Sequence, residues 1–187
     1  MSAPYYQWFI ELIEKEKPKV IAEVGVFRAK LTKKVLWADH INNSFIKQYW
    51  AIDPWKPYPE FFIKYEEKWW PQERWDQLYC DLCRYYPWYS ALRIMRMTSL
   101  EAAAIFKNAR CKFDLVFIDD DHVYEAVKNG IAAWYPLVKE GGILCGHDYC
   151  TTGKDQGYYQ DNVIKAVDER FGSNIEVVHD IWIHRKE

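Results

Sequence analysis

The sequence predicts an α/β fold: a mostly parallel seven-stranded sheet with helices on both faces and the last strand antiparallel. Three observations carry this expectation. The first is the stretch from Phe113 to Tyr149, which reads as strand, helix, strand with short joints. Val116-Phe117-Ile118 is an apolar run that ends in Asp119-Asp120-Asp121. Val123, Val127, Ile131, Trp134 and Val138 then recur at helical spacing, and Gly141-Gly142 breaks the helix. Ile143-Leu144-Cys145 is a second apolar run, ending in His147-Asp148. Such βαβ units build parallel sheets through right-handed connections, so both strands end at one edge, where open α/β sheets bind their ligands. The second observation is that strand and helix patterns alternate in the same way before this stretch. The third is a pair of alternating runs near the C-terminus with too few residues between them for a crossover, which makes them an antiparallel pair.

The elements follow in order. Residues 1–17 read as an N-terminal helix with Pro4 in its first turn and Tyr5, Trp8, Phe9, Leu12 and Ile13 on one stripe, closed by Pro18. Val20 to Gly25 is the first strand, Leu31 to His40 a helix, and Gln48 to Asp53 a second strand stopped by Pro54. Residues 54–90 form an aromatic-rich connection and helix. Its early part shows no clean period, with a short helix around Phe61 to Lys68, and its later part is a helix from Gln72 to Tyr86. Packing is expected for Trp75, Leu78 and Leu82, and an acceptor lid for Trp55, Tyr58, Trp69 and Trp70. Leu92 to Met97 is a third strand, and Thr98-x-x-Glu101 is a capping-box pattern that opens an alanine-rich helix. Asp161 caps a helix that carries Val163, Ile164, Val167 and Phe171 and stops at Gly172. Ile175 to Val178 and Asp180 to His184 are the closing strands.

At 187 residues the chain reads as a single domain, 1–187. A total of 25 Lys+Arg against 27 Asp+Glu gives a net charge of -2. That balance supplies no field for nucleic acid or an acidic membrane, so neither is an expected partner. No apolar run approaches the ~20 residues of a membrane span, and the polar start is unlike a signal peptide, which points to a soluble, cytoplasmic protein. The five cysteines fit reduced thiols. Cys80-x-x-Cys83 lacks a second, similarly spaced pair and lies in a helical pattern, which argues against structural zinc.

The chemistry gathers at strand ends. Glu23 and Gly25 lie at the tip of the first strand, Asp53 ends the second, and Asp119 follows the fourth. Gly25-Val26-Phe27-Arg28-Ala29-Lys30 has one glycine where a dinucleotide site wants three, which disfavours a nicotinamide enzyme. A nucleoside without phosphates has no need of the others, and a carboxylate at Asp53 can accept ribose hydroxyls.

The segments AEVGVFRAKLT, AIDPW, MTSLEAA, FDLVFIDDDHVYEAV and WYPLVKEGGILCGHDY resemble the class I S-adenosylmethionine-dependent methyltransferases. The likeness is to a small-molecule O-methyltransferase branch that reads IDxDHxYE…GGxxxGHDY, and it runs from about Val20 to Phe171. It implies a Rossmann-like sheet and methyl transfer from S-adenosylmethionine to a hydroxyl of a small molecule, a sugar or a phenolic ring. It places Glu23 and Gly25 at the methionine end of the cofactor, Asp53 at the ribose hydroxyls and Thr98 with Ser99 beside adenine, and it counts Phe27 and Asp119 among the cofactor-binding residues, with Asp119 also a catalytic candidate. Family members often carry glycine at the position of Ala29, and alanine resists a positive φ there. The resemblance also suggests a divalent cation, Mg²⁺ or Mn²⁺, on Asp119 and Asp148, and a homo-oligomer is compatible with it. Without metal, His147 or His122 is the candidate base, since imidazole titrates near neutral pH. Two rivals share the pattern: metal-binding relatives of hydroxylase type, and a non-catalytic member that binds cofactor or partner.

Overall fold

A computed structural model describes residues 4–42, 44–57, 70–150 and 158–187. Its elements are α1 (Pro4–Glu16), β1 (Val20–Val24), α2 (Lys30–Ile41), β2 (Gln48–Ile52), α3 (Gln72–Cys83), β3 (Leu92–Met95), α4 (Ser99–Asn108), β4 (Phe113–Ile118), α5 (Tyr124–Trp134), β5 (Val138–Gly146), α6 (Tyr158–Phe171), β6 (Glu176–Val178) and β7 (Ile181–Arg185). The strands form one seven-stranded sheet in the order β3-β2-β1-β4-β5-β7-β6. β1 to β5 run parallel, and β7 is antiparallel to both its neighbours.

Side chains alternate across the pleat and sort the helices into two layers. Ile21, Tyr49, Ala51, Leu115 and Phe117 face α1, α2 and α3, packing on Phe9, Val35, Trp75 and Leu82. Ala22, Val24, Ile52, Val116 and Leu144 face α4, α5 and α6, packing on Phe106, Trp134 and Val167. Connections to the left of β1 thus cross one face and those to its right the other, as right-handed crossovers require when strand order reverses. Among the described residues no helix is long and apolar enough to cross a membrane.

Several boundaries differ from those the sequence suggests. α5 stops at Trp134, and Tyr135–Leu137 is a 3-10 turn, because Pro136 has no N–H to continue the ladder. Val138 is therefore the first residue of β5, and Gly141-Gly142 lie inside that strand. There the register jumps from Phe113↔Val138 to Leu115↔Ile143, and Gly141 takes φ 75° to make the bulge. α3 ends at Cys83, with a 3-10 turn at Tyr86–Trp88 that contains Pro87, and β3 ends at Met95. α6 begins at Tyr158, so Asp161 sits in its first turn and is not its cap. Gly172 does close that helix, at φ 55°.

Trp75 and Leu82 are core residues and Leu78 packs against them, but Trp55 is also fully buried and cannot be a mobile lid residue. Tyr58, Trp69 and the helix expected around Phe61 to Lys68 lie outside the described residues. Cys80 and Cys83 sit on α3, and none of the five cysteines is disulfide-bonded.

Candidate active site

Register brings the strand-end residues level. Val24 pairs with Ile52 on one side and Ile118 on the other, and Ile118 pairs with Gly146. Gly25, Asp53, Asp119 and His147, each the next residue along its strand, therefore meet at one edge. The Gly25 N–H donates to the Ile52 carbonyl at 2.9 Å and the Asp119 N–H to the Val24 carbonyl at 2.7 Å, which locks the tips together. This edge, between β1 and β4, is also where the strand order reverses, the usual crevice for ligands in open α/β sheets.

A cavity of about 350 Å³ opens here, within the range of small-molecule sites. Of the residues singled out from the sequence, Gly25, Phe27, Asp53, Thr98, Ser99 and Asp119 line it. Ile52, Pro54 and Leu100 add apolar wall, and Lys56, Asp120 and Asp121 add charge. Thr98 caps α4 through the expected capping box with Glu101, and the Ser99 hydroxyl accepts the Trp134 indole N–H at 3.0 Å. Burial pushes Asp120 up to about 6, although the Asp121 N–H and the Ser99 hydroxyl, hydrogen-bonded to it, work the other way.

Glu23 departs from the expectation. It is 2% exposed, beneath the cavity on the α2 side of the sheet, and does not line the space. Its Oε2 accepts from the Thr32 hydroxyl at 2.5 Å and the Tyr49 hydroxyl at 2.5 Å. Burial lifts its pKa to about 8 despite those two donors. The side chain at the tip of β1 is thus part of the floor.

Asp53 joins two loops. Its Oδ2 accepts the N–H groups of Val26 at 3.0 Å and Phe27 at 2.8 Å, and its Oδ1 accepts that of Trp55 at 2.6 Å. Burial raises its pKa, and these three donors pull it back. The Trp55 indole N–H donates to the Phe27 carbonyl at 3.0 Å and completes the link. With two acceptor sites per oxygen, Oδ1 keeps one for a hydroxyl. The loops are also strained: Phe27, Ala29 and Trp55 all have positive φ, at 48°, 54° and 42°. Ala29 thus adopts the left-handed conformation that alanine disfavours, buried in the core at the entrance to α2.

Beyond the cavity lies a cluster of two acids and two imidazoles. His122 Nε2 is 2.5 Å from Asp148 Oδ2 and 3.7 Å from Asp119 Oδ1. His147 Nδ1 is 3.7 Å from both Asp119 Oδ1 and Asp148 Oδ1. Asp148 holds φ 62° to enter this group. Donor atoms of Asp119, His122 and Asp148 lie within 4.8 Å of one another, close enough to share an ion. Burial opposes charge on His122, but its bonds to Asp119 and Asp148 win and push its pKa up to about 10. His147 is raised by the same acids against the same burial, and Asp119 is held below its ordinary value by the two rings. Tyr5 of α1, which the sequence marked only as core, lies against His147 with centroids 4.4 Å apart. Its helical spacing carried no sign of that neighbour. Asp119 belongs to both the cavity and the cluster.

A model of a family described as a methyltransferase domain matches residues 23–149, most of the chain. No curated protein sequence matches. Solved structures share the fold. The SAH-bound Podospora anserina methyltransferase PaMTH1 is 13% identical with a TM-score of 0.67, covering 100% of this chain and 80% of its own. The O-methyltransferase from Bacillus cereus in complex with SAH is 11% identical with a TM-score of 0.64, covering 100% and 82%. The O-methyltransferase TomG from Streptomyces achromogenes in complex with SAM is 12% identical with a TM-score of 0.62, covering 100% and 82%. The chain belongs to the methyltransferase domain family and has the fold of class I S-adenosylmethionine-dependent methyltransferases.

Proposed function

We propose that the protein transfers the methyl group of S-adenosylmethionine to a hydroxyl oxygen of a small molecule held beside the His-Asp cluster. The observation that carries this is the double membership of Asp119, at the wall of the cavity and in the cluster. A nucleoside fits the cavity by chemistry: Ile52, Pro54 and Leu100 offer apolar faces for a base, and Asp53 and Asp120 offer acceptors for hydroxyl and amine hydrogens. In this reading the remaining acceptor site of Asp53 takes one ribose hydroxyl, Thr98 and Ser99 border the adenine, and Gly25 and Phe27 border the methionine end. Glu23 shapes the floor from below. The bound donor supplies a methyl group already activated by its sulfonium, so the protein's share of the acceleration is position and alignment.

The acceptor oxygen attacks the methyl carbon as the carbon–sulfur bond breaks, and the hydroxyl proton has to leave. Asp119, His122 and Asp148 form a donor set for a divalent cation. Two carboxylates and an imidazole suit Mn²⁺ or a softer ion better than Mg²⁺, which prefers oxygen alone. Such a cation would lower the pKa of the acceptor hydroxyl. His147, beside Asp119 and not needed as a ligand, is the ring placed to take the proton once it has released the one that Asp119 and Asp148 favour on it. A phenol or a sugar hydroxyl meets these requirements equally.

Calorimetric titration with S-adenosylhomocysteine tests the donor half, with micromolar binding expected and lost in Asp53→Ala. Silence at millimolar ligand would overturn it. Equilibrium dialysis with Mn²⁺ tests the other half, where uptake that survives Asp148→Asn would remove the cation from the scheme.

A further inference from the structure

The opposite end of the molecule carries an aromatic, basic surface for which methyl transfer has no use. α2 runs back from the tip of β1 and ends at Ile41, and α3 runs back alongside and ends before the Tyr86–Trp88 turn. Both therefore finish at the N-terminal edge of the sheet, away from the cavity. Trp37 is 59% exposed, Ile41 60%, Tyr86 51% and Trp88 78%. Ring contacts tie the two element ends into one surface. Trp37 lies 6.2 Å from His40, His40 6.1 Å from Tyr89, and Tyr89 stacks on Tyr85 at 6.5 Å. Lys33 Nζ sits 4.5 Å above the Tyr85 ring. Taking ~200 Å² per aromatic side chain, the rings of Trp37, Tyr86 and Trp88 present on the order of 380 Å², within the range of a typical monomer's largest patch.

Charge selects the occupant. Lys33, Lys47 and Arg93 lie on these elements and at the strands they lead into, while Lys34 reaches over the Tyr6 ring of α1 and Arg84 is neutralised by Asp81. The nearby acids are spent or few. Asp39 is buried and accepts the N–H groups of Phe45 and Ile46, and Asp81 pairs with Arg84 at 2.8 Å. Glu14, held by the Asn42 amide, remains at the rim. Arg93 donates to the carbonyls of Ser90 and Leu92, and among the described residues no acid pairs with it. A second copy of the chain docked about a two-fold axis would set this basic rim against itself. Trp88, so far exposed, projects from the surface, which is not how a side chain lines a peptide groove. Tryptophan and tyrosine flanked by lysine and arginine are the side chains that settle at the headgroup level of a bilayer.

We propose that this face, formed by Trp37, Ile41, Tyr86 and Trp88 with Lys33 and Arg93, docks the protein on an anionic phospholipid surface. The chain-wide balance of charge, which argued against a membrane partner, averages away a local excess that folding assembles. Docked this way, the cavity faces away from the lipid.

The full chain is tested by co-sedimentation with phosphatidylcholine vesicles with and without phosphatidylglycerol. Expected is retention on the phosphatidylglycerol vesicles, at least ~10-fold weaker on plain ones given several basic residues, and quenching of tryptophan emission by brominated lipid. The double variant Trp37→Ala/Trp88→Ala, which alters only exposed side chains, should keep its circular dichroism and thermal unfolding yet lose ~10-fold in vesicle affinity. No retention, equal retention on plain vesicles, or retention unchanged in the double variant would each overturn the proposal. A dimer that the same substitutions dissociate, without vesicle binding, would instead assign the face to a second copy.

Discussion

The Tyr49 hydroxyl donates to the Glu23 carboxylate across the β1–β2 pair at 2.5 Å, with Thr32 as the second donor at the same distance. Burial holds the pKa of Glu23 near 8, above its ordinary 4.5. The folded chain therefore keeps a proton that the unfolded chain gives up. Its contribution to stability is complete below about pH 4.5 and is lost as pH climbs toward 8. Melting temperature should fall between pH 5 and 8.5, and less steeply in Glu23→Gln, whose amide oxygen can accept the same two donors. Equal slopes in the two proteins would mean that Glu23 is ionised in the fold. The difference between them is the reading, because His122 and Asp120 shift the wild-type slope in the same direction.

Asp53 should matter twice. Asp53→Ala strips the acceptor from three loop N–H groups and is expected to cost about 1–3 kcal/mol in urea unfolding. Asp53→Asn should also cost stability, because its NH₂ must face one of those donors. Both should weaken S-adenosylhomocysteine more than 10-fold, roughly 1.4 kcal/mol. A variant that binds normally would separate the loop scaffold from the ligand.

Gly25 and Gly130 make a matched pair. A Cβ on Gly25 would lie 2.0 Å from the Asp119 carbonyl oxygen, at φ 90°. Gly25→Ala should lose about 3 kcal/mol or more from overlap and backbone strain combined. Gly130, inside α5, has nothing within 4 Å of the same atom. Gly130→Ala should gain up to ~1 kcal/mol from helix propensity. Urea midpoints measure both.

Cation uptake should strengthen with pH. His122 coordinates only after losing a proton that Asp119 and Asp148 hold up to about pH 10. Mn²⁺ dialysis at pH 6 and 8.5 should show clearly tighter binding at the higher value. Proton release on binding, read from calorimetry in two buffers, should disappear in His122→Asn.

The fold was legible because both of its signals are local. Apolar runs of strand length alternate with helical stripes, and Asp53 and Asp119 mark where the second and fourth strands stop. The same logic placed Thr98 as a cap and Gly172 as a stop. What could not be read were properties set by tertiary neighbours. Glu23 is one residue beyond Ala22 on its strand, and that single step turns it to the α2 face, where Thr32 and Tyr49 wait. Trp55 follows a proline in an aromatic run that suggested a surface lid, yet its ring fills the core beside Tyr79. Ala29 is held at a φ its type resists, because the surrounding packing decides. His122 was visible as a base, but its grip on Asp148 depends on the left-handed turn at Asp148, which carries no sequence mark.

The contact between Gly25 and the backbone of Asp119 leaves no gap into which either tip could relax. A substitution that enlarges one tip must displace the other, so in the proposed scheme donor grip and proton handling would be inherited together. Diversification of what the enzyme methylates is thereby pushed outward, to surfaces such as the first turn of α1, where Tyr5 rests on His147 and a change of ring leaves that junction untouched.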